Sequence, residues 1–440
     1  MAHGVFDVLH PGHLNHLEQA AAMGDVLLVS VTADRYVEKG PGRPVHTAED
    51  RVRMLTALGA VDTAFVTDAD SAIPAIEQWH PDIYVKGPDY PATDAAGNMA
   101  AEQAAVEAYG GQVAFTEGEQ RSSTAIINAA LPRVSERAQD WLRTFKTKFT
   151  SEEVLALVDK ASKLTVTVLG ESIVDHYIYV EPMGRSPKES VITWRHVGEQ
   201  QFAGGVEAIA AHCRSLSTSA NVQVVAPVPL LKTRYVEVPH YRRVYSFVSK
   251  TEVPEIRQKD MLQGSDVQIV GDYGHGAVRG AEGAQRIASA GWTALTVQAN
   301  SLNWGYNTLR KWPGVDYFVV DKPELFLTGQ SQRGDLLALL KAEVERMSAE
   351  VGAVTLGHEG CLLTAGGEAS TVPALADQVV DRIGAGDAFL AVTAPLVRAG
   401  APLDVVGFVG NVAGALQVAR LGNSPIASRE LKAWVVGLLK

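Results

Sequence analysis

Two short segments carry residue types and spacings suited to chemistry on phosphate. His10-Pro11-Gly12-His13 holds two imidazoles across a Pro-Gly turn, and a helical apolar pattern (Leu14, Leu17, Ala20, Ala21) follows at once. The pair is therefore expected beside a helix N-terminus, where free N–H groups and the helix dipole favour an anion. Lys39 and Arg43 lie in the loop 38–45, which has the glycines and cations to close over a triphosphate. Ser122, Ser123 and Thr124 put hydroxyls just before another apolar helical pattern, a cap that can also bind anions. The second segment is Gly384-Ala385-Gly386-Asp387. Glycines at a helix start offer N–H groups to a transferring phosphoryl group, and the carboxylate follows where a base for an attacking alcohol is needed. Taken alone, each string also fits an ordinary turn or helix cap.

These residues need elements to hold them. At 440 residues the chain is long enough for two or three domains. Hydrophobic content of 46% with 20% charged residues describes a globular protein with ample core. A net charge of −11 argues against a general nucleic-acid role, so an anionic ligand must be held locally. Two cysteines, Cys213 and Cys361, give neither a disulfide framework nor a zinc spacing, which makes a cytoplasmic location the expectation. No apolar run approaches the ~20 residues that span a bilayer, so no membrane partner is expected. In the first 130 residues, apolar runs at 26–31, 63–66 and 83–85 read as buried strands, with helices at 14–23, 47–58 and 71–79 between them. Such alternation predicts a doubly wound parallel sheet with ligands at the carboxyl ends of its strands. Only Met1-Ala2-His3 precede the first motif. The first strand thus reads as missing, as though the true start lay upstream. Residues 131–163 read as a helical connector. From 164 to 440 a second alternation runs through strands at 165–169, 222–226, 267–271, 293–297, 317–320 and 353–356. Segments 190–197 and 241–251 suit a small lid sheet beside it. The fold class expected is α/β, with two doubly wound Rossmann-like domains.

Gly4-x-Phe6-Asp7-x-x-His10-x-Gly12-His13, then Gly42-Arg43-Pro44-Val45, Val85-Lys86-Gly87-x-Asp89-Tyr90 and Ser122-Ser123-Thr124, resemble in order and spacing the adenylyltransferase domain of the bifunctional heptose-phosphate kinase/adenylyltransferases, which make ADP-heptose. The resemblance covers nearly all of residues 3–130. It implies that Gly4, Phe6, His10, His13 and Arg43 line the triphosphate, that Lys39 neutralises it, and that Ser122–Thr124 lie near the nucleotide phosphates. It also implies that Lys86 and Asp89 lie near a sugar phosphate. Cytidylyltransferases for glycerol phosphate share the HxGH, so the base stays open between ATP and CTP. Likewise, Asp381-x-x-Gly384-Ala385-Gly386-Asp387-Ala388-Phe389 resembles the signature of the ribokinase-like (PfkB) carbohydrate kinases. That resemblance implies Asp387 as base, Gly384, Ala385 and Gly386 as phosphate cradle, and Thr355, Gly357, Gly360 and Asn411 on the ATP side. It places Asp175, Gly204 and Gly205 toward the sugar, with Glu324 acting indirectly on Mg2+. The implied partners are a sugar phosphate and a nucleoside triphosphate, in a homodimer whose domains stand in the reverse of the family's order.

The departures fall on the sugar side. Glu171 stands where the family has Asp, Ala208 where it has Asn, Gln298-Ala-Asn-Ser301 where it has Asp-Pro-Lys, and Asp321 where it has Asn. A retained GAGD with altered sugar contacts predicts an active kinase with a changed sugar; a chain with one inactive, nucleotide-sensing domain is the other reading. Lys232, Arg234, Arg242 and Arg243 form a basic cluster able to hold a phosphate already on the sugar. His196, His212, His240, His275 and His358 show no metal-ligand spacing.

Overall fold

A computed structural model describes residues 1–37, 43–87, 98–117, 134–218, 222–238, 240–249, 252–257, 260–261, 264–376 and 379–439. Two compact units divide the chain, Met1–Arg133 and Val134–Val435.

In the first unit the elements run β1 (Ala2–Gly4), α1 (Pro11–Ala21), β2 (Leu28–Thr32), α2 (Ala48–Thr56), β3 (Thr63–Thr67), α3 (Ile73–Trp79), β4 (Ile83–Lys86), α4 (Asn98–Glu107) and β5 (Gln112–Phe115). The sheet is parallel throughout, in the order β3-β2-β1-β4-β5. The order reverses between β1 and β4, and the crevice at that switch is where ligands of such sheets bind. The first strand, read as missing, is therefore present at the centre of the sheet. Three residues suffice because they are paired on both sides: Ala2 lies opposite Val29 and Val85, Val85 N–H donates to the Met1 carbonyl at 2.8 Å, and the Met1 amino group donates to the Ile83 carbonyl at 2.6 Å. Its polar member, His3, is satisfied by the Ser30 and Thr32 hydroxyls. Strand alternation then feeds two cores, one with Ala2, Leu17, Val29, Val31 and Val85, the other with Met1, Ile76, Tyr84 and Val106.

The second unit opens with α5 (Glu136–Lys146) and α6 (Ser151–Ala161). The stretch read as a connector is built into this unit. Trp141 and Phe145 pack on Phe408, Lys148 pairs with Asp404, and Lys160 Nζ donates to the Ala399 carbonyl at 2.7 Å. The large strong stripe of apolar residues on α5 demands such a partner. There follow β6 (Val166–Gly170), β7 (Ser172–Arg185), β8 (Ile192–Gly205), α7 (Val206–Leu216), β9 (Val222–Val225), β10 (Leu230–Glu237), β11 (Arg242–Val248), β12 (Val267–Asp272), α8 (Gly280–Ala288), β13 (Thr293–Val297), β14 (Tyr317–Asp321), α9 (Lys322–Thr328), α10 (Leu336–Met347), β15 (Val351–Thr355), β16 (Cys361–Ala365), β17 (Glu368–Val372), α11 (Ala385–Arg398) and α12 (Leu403–Val418). An eight-stranded sheet has the order β17-β16-β15-β14-β13-β12-β6-β9, parallel except for the β15-β16-β17 edge. Gly366-Gly367 marks the turn of that edge hairpin, but its second strand, Glu368-Ala-Ser-Thr-Val372, carries no apolar run to announce it. The lid is larger than the two segments expected. It is a four-stranded sheet, β11-β10-β7-β8, whose longest pairing joins β7 to β8. Among the described residues no helix is long and apolar enough to cross a membrane.

Candidate active sites

In the first unit, His10 is the N-cap of α1. Its Nδ1 accepts the Gly12 N–H at 3.1 Å, which leaves the ring proton on Nε2. The His13 ring stacks on it with centroids 3.9 Å apart, and Phe6 meets His13 edge-on at 5.5 Å. The turn that brings them together contains two non-glycine residues in the left-handed region, Phe6 (φ 50°) and Val8 (φ 52°). Each such residue costs ~1–3 kcal/mol and persists only where the surroundings over-determine it. Asp7, between them, supplies that constraint. Its buried carboxylate accepts from Arg43 Nη1 and Val45 N–H at 2.9 Å each, and from His46 N–H at 3.1 Å. Arg43, expected on the triphosphate, is thus buried against Asp7 and ties the loop to the HxGH turn. Arg51, which the sequence reading passed over, is fully buried on α2 and donates to the carbonyls of Val5, Thr32 and His46 and to Asp34. It fixes β1, β2 and the loop at one point. Gly4 ends β1, and a Cβ there would meet the Phe6 ring at 3.2 Å. Lys86, expected toward a sugar phosphate, is buried at the end of β4 with Nζ 2.6 Å from Glu102 Oε2. Burial first, and Lys86 second, lower the His16 pKa to about 4, so this imidazole is neutral; it hydrogen-bonds Thr116 at 2.9 Å. Lys39, Asp89, Ser122, Ser123 and Thr124 lie outside the described residues.

In the second unit, Gly384 caps α11 in the left-handed region (φ 78°), and a Cβ there would overlap Asn423 Oδ1. Ala385 and Gly386 begin the helix, and Gly386 faces open space. Asp387 lies in the first turn. Its Oδ1 accepts from the Tyr273 hydroxyl at 2.8 Å, and desolvation by burial raises its pKa to about 6, against the opposing pull of Tyr273 and Lys232. Lys232 reaches toward it from β10; burial and Arg243 lower the ammonium's pKa, while Asp387 raises it.

The lid presents more charge. Arg234 on β10 forms a buried ion pair with Asp175 on β7, and burial lowers its pKa to about 10. Gly204 lets this happen, since a Cβ there would stand 2.6 Å from Asp175 Oδ2. Gly205 (φ 60°) turns the chain from β8 into α7. Asp381, three residues before the GAGD string, joins lid and cradle: it accepts from Tyr177 on β7, Arg243 on β11, and the N–H groups of Ile383 and Gly422. On the other side of the sheet's carboxyl end, Thr355 closes β15 and Leu356 N–H donates to the Gly360 carbonyl at 2.8 Å in the turn that holds Gly357. Asn411 on α12 donates to the Val372 carbonyl at 3.2 Å and faces Cys361 Sγ, which brings it to the same corner.

Glu324, expected to act on a metal, forms a capping box with Asp321 and accepts the Ala299 N–H at 3.1 Å. Burial first, then Asp321, raises its pKa to about 8. Among the described residues no three His, Cys, Asp or Glu side chains gather as a metal site. Glu171, the departure from Asp, is fully buried and accepts from the N–H groups of Tyr273, His275 and Ala277.

Residues 1–129 match a family described as cytidylyltransferase-like, and residues 279–428 match the pfkB family of carbohydrate kinases. The chain therefore carries a nucleotidyltransferase-like domain followed by a carbohydrate-kinase domain. The kinase match covers the GAGD string and the 355–360 turn, whereas β7, β8, β10 and β11 lie outside it. The bifunctional protein HldE of Ectopseudomonas mendocina (strain ymp) is 40% identical over 126 residues, 28% of this chain and 26% of that protein. HldE of Vibrio vulnificus (strain YJ016) is 42% identical over 132 residues, 29% and 27% of the two chains. The chain thus spans about a quarter of the length of the curated relatives it matches. Among solved structures, ribokinase from Thermotoga maritima aligns with 62% of this chain and 99% of its own at 18% identity and a TM-score of 0.47. Phosphofructokinase-2 from Escherichia coli aligns with 63% and 100% at 13% identity and a TM-score of 0.49.

Proposed function

We propose that the two domains act in sequence on one sugar. The kinase domain phosphorylates a sugar phosphate of the heptose 7-phosphate kind at its anomeric hydroxyl, and the first domain joins the resulting 1-phosphate to a nucleotide. The observation that carries this reading is Asp387, held in the first turn of α11 beside the Gly384–Gly386 turn, with a pKa raised to about 6 by burial. A carboxylate poised there stays ionised at neutral pH yet is basic enough to accept a proton.

In the kinase step the substrate hydroxyl oxygen attacks the γ-phosphorus of ATP, its proton passes to Asp387, and ADP leaves. The N–H groups at the start of α11 hold the transferring phosphoryl oxygens. Bound together with the nucleotide, Mg2+ would supply charge neutralisation at its phosphates. Asp175, Gly204, Gly205 and Arg234 frame the sugar, and Lys232 and Arg243 meet the phosphate it already bears. Thr355, Gly357, Gly360 and Asn411 border the ATP. In the transfer step a phosphate oxygen of the sugar 1-phosphate attacks the α-phosphorus of ATP and pyrophosphate leaves. The nucleophile is already an anion, so alignment and charge stabilisation by His10, His13 and the α1 N-terminus supply the catalysis. The description of the N-terminal family as cytidylyltransferase-like favours CTP as the alternative donor. The enzyme is proposed to work in the cytoplasm as a homodimer paired through the lid, whose strands expose Ile192, Tyr245 and Phe247.

Mass spectrometry of products from ATP or CTP with heptose, hexose and pentose phosphates tests the proposal. A sugar bisphosphate that disappears with Asp387→Asn, and a nucleotide sugar that disappears with His10→Ala plus His13→Ala, are the expected results. Phosphorylation that survives Asp387→Asn would refute the kinase assignment.

A further inference from the structure

The departures at Glu171 and at Gln298–Ser301 converge on one residue. Tyr273 follows β12 and donates its hydroxyl to Asp387 Oδ1 at 2.8 Å. Its backbone is fixed on every side. The Tyr273 N–H donates to Glu171 Oε2 at 2.9 Å, and its carbonyl accepts from Asn300 Nδ2 at 2.8 Å and Asn303 Nδ2 at 2.9 Å. Asn303 Oδ1 in turn accepts the Asn300 N–H at 2.8 Å, so the two amides brace each other. The loop beyond Tyr273 is held by the same carboxylate, since Glu171 Oε1 takes the N–H groups of His275 and Ala277. Glu171 thus spends its acceptors on three backbone groups, a reach that the shorter Asp lacks by one methylene. Asn307 completes the arrangement by donating to the Asp272 carbonyl at 2.9 Å.

We infer that Tyr273 is the positioning residue for the phosphoryl-transfer base, and that Glu171, Asn300 and Asn303 are the clamp that holds it there. This rests on the reading of Asp387 as that base. The altered sequence around β13 is then a rebuilt support for the phosphate side of the site, rather than erosion of it. A hydrogen bond to the ionised carboxylate favours its charged form and fixes which oxygen is free to take the substrate proton. The titratable groups facing the pair are Lys232 from β10, Glu171 after β6 and Glu324 on α9, and burial raises the pKa of both glutamates.

The test is Tyr273→Phe, which removes only the hydroxyl. The acid limb of the kinase kcat/KM profile is expected to move up by about one pH unit, the usual worth of a hydrogen bond to a charged group. Activity then falls about five-fold at pH 6 and little at pH 8.5, a split that a general loss of packing does not produce. A second readout needs no substrate: in protein labelled with 13C at the aspartate carboxyls, the resonance lost in Asp387→Asn reports that group, and its titration midpoint should rise in Tyr273→Phe. Asn300→Ala with Asn303→Ala should shift both readouts the same way by a smaller amount. A midpoint unmoved by Tyr273→Phe overturns the inference, and a midpoint unmoved by the double variant alone removes the clamp from it. If Asp387→Asn retains phosphorylation, the base assignment fails instead, while the carboxyl titration still reports whether Tyr273 acts on Asp387.

Discussion

Replacing Asp381 with asparagine is expected to loosen the lid and the phosphate cradle together. Oδ1 accepts from Arg243 Nη2 at 2.6 Å and Ile383 N–H at 3.1 Å; Oδ2 accepts from the Tyr177 hydroxyl at 2.9 Å and Gly422 N–H at 3.2 Å. An amide offers one acceptor oxygen, so its NH2 faces two donors in either orientation. The cheaper choice sets the NH2 against Arg243 and Ile383. A buried N–H left without its acceptor costs ~1–3 kcal/mol. The Arg243 side chain is 42% exposed, so its share is discounted to about 0–1 kcal/mol. The expected loss is about 1–4 kcal/mol. Urea unfolding followed by tryptophan fluorescence reads it, because every tryptophan except Trp79 lies at or beyond residue 141. Since Tyr177 and Arg243 belong to the lid, the KM for the sugar phosphate should rise while that for ATP changes little. An unshifted midpoint with a sugar KM within about two-fold of the parent would refute the idea that Asp381 joins the two parts.

Kinase activity should fall as pH drops through about 6, because Asp387, raised from its ordinary 3.8, must be ionised to accept a proton; a pH series with a saturating sugar phosphate checks this. His10→Ala or His13→Ala should lower nucleotidyl transfer ~100-fold or more, measured as pyrophosphate release, and leave the kinase step intact. Gly204→Ala carries no positive-φ strain but crowds Asp175 Oδ2 at 2.6 Å, so the sugar KM should rise about ten-fold with kcat less affected. Lys86→Met leaves Glu102 buried without its cation and should destabilise the first unit by ~3–5 kcal/mol, read as a lower thermal midpoint for loss of transferase activity.

Legibility from the sequence followed the range of the interactions. The strands at 26–31, 63–66, 83–85, 267–271 and 293–297 are recovered within a residue or two, because burial on both faces writes continuous apolar runs in all but the half-exposed edge strand β3. β1 escaped notice because a central strand of three residues, one of them histidine, carries no such run; its pairing on both sides supplies what its composition does not. The helices α5 and α6 look polar in sequence, and their place is set by distant partners, Phe408 against α5 and the Ala399 carbonyl that Lys160 of α6 reaches. Arg43 and Lys86 were read as ligand contacts from their charge. Each has a carboxylate partner, Asp7 and Glu102, that lies elsewhere in the chain and that charge alone does not reveal.

His10 at the cap of α1 and Asp387 in the first turn of α11 were determined by the sequence alone, since a helix N-terminus and its dipole are made within a few consecutive residues. What surrounds those groups was decided by tertiary structure. Tyr273 meets Asp387 across 114 residues, and Arg234 meets Asp175 across 59. The second depends on the register of β10 against β7, in which a slip of one residue turns every side chain to the opposite face, and the first on where α11 packs against the end of β12. Local chemistry names the reacting groups; only the folded sheets determine which neighbours set their charge and aim.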